Sequence, residues 1–118
     1  IKQNLSRFTG TSYHWSWSPL FRTMRLTDGA KYVADACGAY WLMDAIASHQ
    51  VNPKVRGEEF QVWTFKRGEP HALTMTDGNS KTPIVTQKID YSDFPLEEIT
   101  LWVEGPINQR VILLPSEH

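Results

Sequence analysis

From Phe60 to Leu114 the chain carries five short runs of β-type residues, and one long helical run precedes them all. The β-type runs are "FQVWTF", "HALTMT", "PIVTQKI", "EITLWVE" and "RVILL"; "RGEP", "DGNS", "IDYSDFPLEE" and "GPINQ" separate them. Strands divided by Gly, Pro, Asn and Asp clusters tend to pair with their sequence neighbours, which predicts an antiparallel meander. Helix and strands kept apart in this way imply an α+β architecture. The expected fold is an antiparallel sheet of about five strands in the C-terminal two-thirds, covered on one face by a helical region at 28–50. The 118 residues amount to a single domain, 1–118.

The helical region begins where Thr27 or Asp28 offers a side-chain oxygen to an unpaired backbone N–H. Lys31 and Asp35 then stand four residues apart, an ion-pair spacing on the outer face. A continuous wheel puts Tyr32, Val33, Ala36, Tyr40, Met43 and Ala47 on one side, with Lys31, Asp35, Gly38 and His49 opposite. Gly38 is the one position that would kink or split the helix. Asn52-Pro53 closes the region. Upstream, "NLSRF" reads as a turn of helix and "LFRTMRL" as a short strand.

Asp44 is the discordant residue of the apolar stretch "ACGAYWLMDAIASHQ". The wheel places it about 60° from the centre of the stripe, and His49 about 140° further round, so the two do not form a His–Asp pair. A carboxylate on that side needs donors, because burying it unpaired costs several kcal/mol. The expectation is a clamp that accepts a hydrogen bond from a tryptophan, a tyrosine or the backbone of the N-terminal segment.

Other chemistry is sparse. His14, His49, His71 and His118 make no metal-ligand spacing, and no metal or cofactor is expected. Cys37 is the only cysteine, which rules out an intrachain disulfide and suits a reducing, cytoplasmic location. It reads as a small buried hydrophobe. No apolar run is long enough for a membrane span, and the opening residues lack a signal-peptide core. A net charge of −1 and the lack of any basic stripe disfavour nucleic acid.

The five tryptophans carry the remaining functional signal. In "EITLWVE" Ile99, Leu101 and Val103 point one way and Trp102 the other; Trp63 lies opposite Val62. If Trp63 and Trp102 share the face away from the helix, a second chain or the aromatic N-terminal segment has to cover them. In "TSYHWSWSPL", Tyr13, Trp15 and Trp17 alternate along one face, either filling the core or forming an aromatic platform.

Four blocks, "QNLSRFTGT", "TDGAKYVADACGAYWLMDAIASHQ", "DYSDFPLEEITLWVE" and "VILLPSEH", together resemble a small bacterial, plasmid and phage family catalogued only as a domain of unknown function. The resemblance spans nearly the whole chain and implies no activity, ligand or catalytic residue. The resulting expectation is a non-enzymatic binding or protein-interaction module that self-associates as a homodimer or takes a protein partner. Its contact residues would be Trp63 and Trp102, with Trp15 and Trp17. The alternative is a small hydrolase-like enzyme in which Asp44 works with His14 or His71. A third reading is a weak single-stranded nucleic-acid binder using the N-terminal rings.

Overall fold

Thr27 starts the first helix by accepting the Ala30 N–H on its hydroxyl, so α1 spans Asp28–Ala36. The computed structural model describes residues 13–79, 81–90 and 94–118; "NLSRF" and residues 91–93 of the acidic connection lie outside them. Gly38, at φ +59°, takes the left-handed conformation that an L side chain resists, and the helical region breaks there. The second helix, α2, covers Tyr40–Ser48 and runs into a 3₁₀ turn at His49–Val51. Asn52 caps one more short helix, α3 at Pro53–Arg56.

The break resets the helical phase. α1 buries Gly29, Ala30, Val33 and Ala34, while α2 buries Leu42, Met43, Ile46 and Ala47. One continuous wheel averaged these two faces, which is why it mislaid Ala36 and Asp44, both exposed. On α2 alone Asp44 lies about 130° from the centre of the buried face.

The five expected antiparallel strands are all present: β2 Phe60–Lys66, β3 His71–Thr76, β4 Val85–Ile89, β5 Glu98–Glu104 and β6 Arg110–Leu113. A sixth, β1 at Met24–Leu26, comes from the "LFRTMRL" stretch and pairs in parallel with β6. The order across the sheet is β1-β6-β5-β2-β3-β4. One link therefore departs from a meander. The chain leaves β4 at the sheet edge and returns to its middle, where β5 pairs with β2.

Helices cover one face. The core joins Val33, Leu42, Met43 and Ile46 to Trp63, Phe65, Leu73, Met75 and Leu101. The other face is organised in cross-strand rows. Glu98, Lys66, Ala72 and Lys88 form one row, and Thr100, Thr64, Thr74 and Thr86 the next. Trp102, Val62 and Thr76 follow, with Leu113 beyond Trp102. Four threonines in register across four strands keep the middle of this face compatible with water.

The C-terminus is tied back to α1. Glu117 accepts from the Thr27 hydroxyl at 2.6 Å, the Gly29 N–H at 3.0 Å and the Leu114 N–H at 2.9 Å. A carboxylate at the start of a helix meets the positive end of its dipole. The fit admits no side chain at Gly29: a Cβ there would lie 2.5 Å from Glu117 Oε1.

Candidate functional site

Asp44 is a clamp. Its Oδ1 accepts the indole N–H of Trp17 at 2.8 Å, and Trp17 stacks on Phe21 with ring centroids 5.8 Å apart. A second indole repeats the arrangement: Trp15 Nε1 donates to Asp28 Oδ1 at 2.9 Å. The backbone of Trp15 also exchanges hydrogen bonds with Leu26, at 2.8 and 2.7 Å. Two carboxylates, one on each main helix, thus hold the N-terminal segment against the domain. Only Trp17 packs on the core; Trp15 stays 39% exposed and lies under the Lys31 ammonium, 4.9 Å from the ring centroid.

The histidines are dispersed. His49 Nε2 meets Gln87 Oε1 at 2.7 Å and its ring lies 5.3 Å from that of Trp63, well away from the outward-facing Asp44. His71 Nδ1 accepts the Gly68 N–H at 3.0 Å in the turn between β2 and β3. It borders an open cleft of about 1040 Å³ with Lys66, Glu69, Glu97 and Glu98. His14 is exposed and borders a different cleft with Arg22 and Arg25. Asp44 lines neither of these clefts, so the structure does not unite it with His14 or His71. No group of three or more His, Cys, Asp or Glu residues able to hold a metal is found among the described residues. Cys37 is buried, and burial pushes its thiol up, away from the nucleophilic thiolate.

The two sheet tryptophans are on opposite faces, which corrects the shared face expected of them. Register pairs Trp63 with Leu101 and Val62 with Trp102. Trp63 is therefore on the helix side, 1% exposed, with its indole N–H donated to Gln61 Oε1 at 2.8 Å. No partner can reach it. Trp102 is half-buried on the uncovered face, edge-on to Phe60 at 5.1 Å and to His118 at 5.2 Å. His118 Nε2 in turn lies 2.6 Å from Glu104 Oε1.

A crystal structure of a protein of unknown function from Enterococcus faecalis is similar in fold. Its TM-score is 0.58 at 15% identity, over 82% of this chain and 91% of that one. No curated protein matches the sequence. A family of unknown function, DUF6876, matches residues 1–118 in full. The chain belongs to that family.

The polar centre of this DUF6876 chain is a cluster that sequence reading passed over. Arg110, 1% exposed, donates Nη1 to Gln50 Oε1 at 2.8 Å, Nη2 to the Arg56 carbonyl at 2.5 Å and Nε to the Gly105 carbonyl at 3.0 Å. Gln50 and Gln61 exchange amide hydrogen bonds at 2.9 Å in both directions. No carboxylate touches the guanidinium, and burial lowers the Arg110 pKa. Arginine retains its charge under such pressure because its reference value is so high. The available signal was a basic residue opening an otherwise apolar strand, "RVILL". Its three neutral acceptors come from the 3₁₀ turn after α2, the end of α3 and the β5–β6 turn, so no local pattern displays them.

Among the described residues no helix is long and apolar enough to cross a membrane.

Proposed function

We propose that this DUF6876 chain is a non-enzymatic interaction module that self-associates through the Trp102 end of its uncovered sheet face. The observation that carries this reading is an aromatic and aliphatic group, Phe60, Val62 and Trp102, half-buried on the sheet face that α1 and α2 leave uncovered, with the His118 ring against Trp102 at its edge. Large rings held on a stiff platform lose little entropy on docking, which suits them to interface anchoring. The partner is a second copy of the chain. Lys66 and Lys88, with Glu98 beside Lys66 in the same row, mark one end of the face and Glu104 the other, so stacking about a two-fold axis across the strands sets the two lysines toward Glu104 of the second copy. An enzymatic reading is less well supported, because the Asp44 carboxylate is occupied by Trp17 and stands apart from the imidazoles. A cytoplasmic location belongs to this proposal and is supported by the lone buried thiol.

Sedimentation velocity across a wide concentration range tests the module. Wild type is expected to shift from monomer to dimer as concentration rises, whereas Trp102→Ala remains monomeric with an unchanged circular dichroism spectrum. A wild type that stays monomeric throughout would remove the proposal.

A further inference from the structure

Among the described residues the exposed large aliphatic side chains are gathered in one place. Leu20, Val51 and Ile107 are 84%, 77% and 37% exposed, and all three line a groove of about 540 Å³. They reach it from three separate elements: the Pro19–Phe21 turn, the 3₁₀ turn after α2 and the β5–β6 hairpin. The other large hydrophobics this exposed among the described residues are the rings of Tyr13 and Trp15. Single exposed aliphatics are normal on any protein, but a converging set marks a contact surface.

The charge lining the groove is one-sided, although Glu58 and Glu59 stand close enough to act on Arg110 in the adjoining cleft. Arg56 lines it directly. The cleft beside it shares Thr23 and Asn108 with the groove and adds His14, Arg22 and Arg25; a third shares those two arginines and extends to Trp17. Among the described residues no carboxylate lines any of the three clefts, in a chain with 13 acidic and 12 basic residues. The ion pairs among the described residues are Lys31–Asp35 and His118–Glu104, so none of the three arginines is neutralised by one. Arg25 Nη1 is turned to the carbonyls of Arg22 and Met24. Asp44, one helical turn before Ser48 at the groove wall, is held by Trp17.

We propose that this groove docks an acidic peptide segment of a partner protein. An apolar anchor of the peptide sits between Leu20, Val51 and Ile107, and its flanking carboxylates meet Arg22, Arg25 and Arg56. Guanidinium groups bind carboxylates in a fixed two-point geometry, which supplies orientation, while burial of the anchor supplies most of the affinity. A peptide is favoured over a nucleic acid because the groove presents aliphatic chains rather than a stacking platform. The net charge of −1 also gives no long-range pull on a polyanion. The groove is distinct from the Trp102 face, and this inference does not depend on self-association.

Selection of a random peptide library displayed on phage against the full chain tests the groove. Enriched peptides are expected to share an aliphatic or aromatic residue flanked by Asp or Glu. The corresponding synthetic peptide should weaken by roughly tenfold or more with Val51→Asp, with Leu20→Ser, and with Arg22→Glu combined with Arg56→Glu. Its affinity should fall as salt is raised. All four side chains are exposed, so the variants should melt like wild type, and Trp102→Ala should bind as wild type does. Any one of four results would overturn the proposal: no enrichment, enriched peptides without acids, undiminished binding to the variants, or tighter binding of oligothymidylate or phosphatidylglycerol vesicles.

Discussion

Tyr40 and Lys31 share one carboxylate. The Tyr40 hydroxyl donates to Asp35 Oδ1 at 2.5 Å, while Lys31 Nζ holds Oδ2 at 2.7 Å. The hydrogen bond from Lys31, then that from Tyr40, lowers the Asp35 pKa. The same bond to Asp35 is the main cause that pushes the Tyr40 phenol up to about 12. A phenol whose folded pKa is raised adds stability that is complete below its ordinary value of about 10 and disappears between there and about 12. Asp35 has the opposite sign: its contribution holds above the ordinary carboxylate range and is lost as pH falls through the lowered value. The pair is on the surface, where solvent screening keeps the acid-side effect small. Ultraviolet difference titration, with Tyr40→Phe as the subtraction control, should show Tyr40 ionising near 12 and returning toward about 10 in Asp35→Asn. An unchanged titration in Asp35→Asn would refute the shared-carboxylate arrangement. The Lys31–Asp35 half of this triad was legible in the four-residue spacing. The Tyr40 half was not, because it reaches Asp35 across the helix break at Gly38, where helical periodicity says nothing.

Arg110 acts between elements rather than within one. It joins β6 to the β5–β6 turn through Gly105, to α3 through Arg56 and to the end of the α2 region through Gln50. Arg110→Ala removes those three donors and leaves the two carbonyls without their partner, while Gln50 Oε1 keeps only the Gln61 amide. Both carbonyls are part-buried, so stranding them costs toward the low end of about 1–3 kcal/mol each, and the volume lost at the fully buried Arg110 side chain adds to that. Urea denaturation should therefore show a loss of about 3 kcal/mol or more for Arg110→Ala, and a smaller loss for Arg110→Met, which fills the space. If both variants stay within about 1 kcal/mol of wild type, the cluster is not holding these elements together. Element type was read correctly along most of the chain, because alternation and turn chemistry are local. The faces were harder. A strand such as "FQVWTF" carries bulk on both sides, Val62 on one and Trp63 on the other, so alternation alone cannot say which side meets the helices. Register against β5 decides it, and register is set by a pairing some forty residues away. The Asp44 clamp was legible in outcome but not in cause: the wheel inferred a burial that the break at Gly38 removes, and the exposed carboxylate takes the Trp17 indole because the N-terminal segment packs beside it.

Across the whole molecule, the N-terminal and C-terminal segments meet in one sheet. β1 pairs with β6, Thr27 N–H donates to the Ile112 carbonyl at 3.1 Å, and Glu117 caps α1. The return from β4 to β5 places the central pair, β2 and β5, between neighbours on both sides and beneath the helices. That topology implies an uneven distribution of stability. Amides of β2 and β5 can exchange only when the sheet and its helical cover open together, whereas β4 is bonded along one side only and can fray alone. Native-state hydrogen exchange should therefore give the slowest amides in β2 and β5, around Trp63 and Leu101. Amides of β4 near its ends should exchange far faster, and with little dependence on denaturant. β1 is the informative strand. Its one sheet neighbour is β6, so taken alone it should fray like β4, yet the Trp15 backbone bridge and the Asp28 and Asp44 clamps lie over that edge. If those clamps hold the opening segment in place, Leu26 N–H, which donates to the Trp15 carbonyl, should be markedly slower than the end amides of β4. Asp28→Ala combined with Asp44→Ala should speed its exchange up to their rate while leaving Trp63 and Leu101 unchanged. Equal rates in wild type and in that double variant would mean that the indole–carboxylate bonds decorate the edge without securing it.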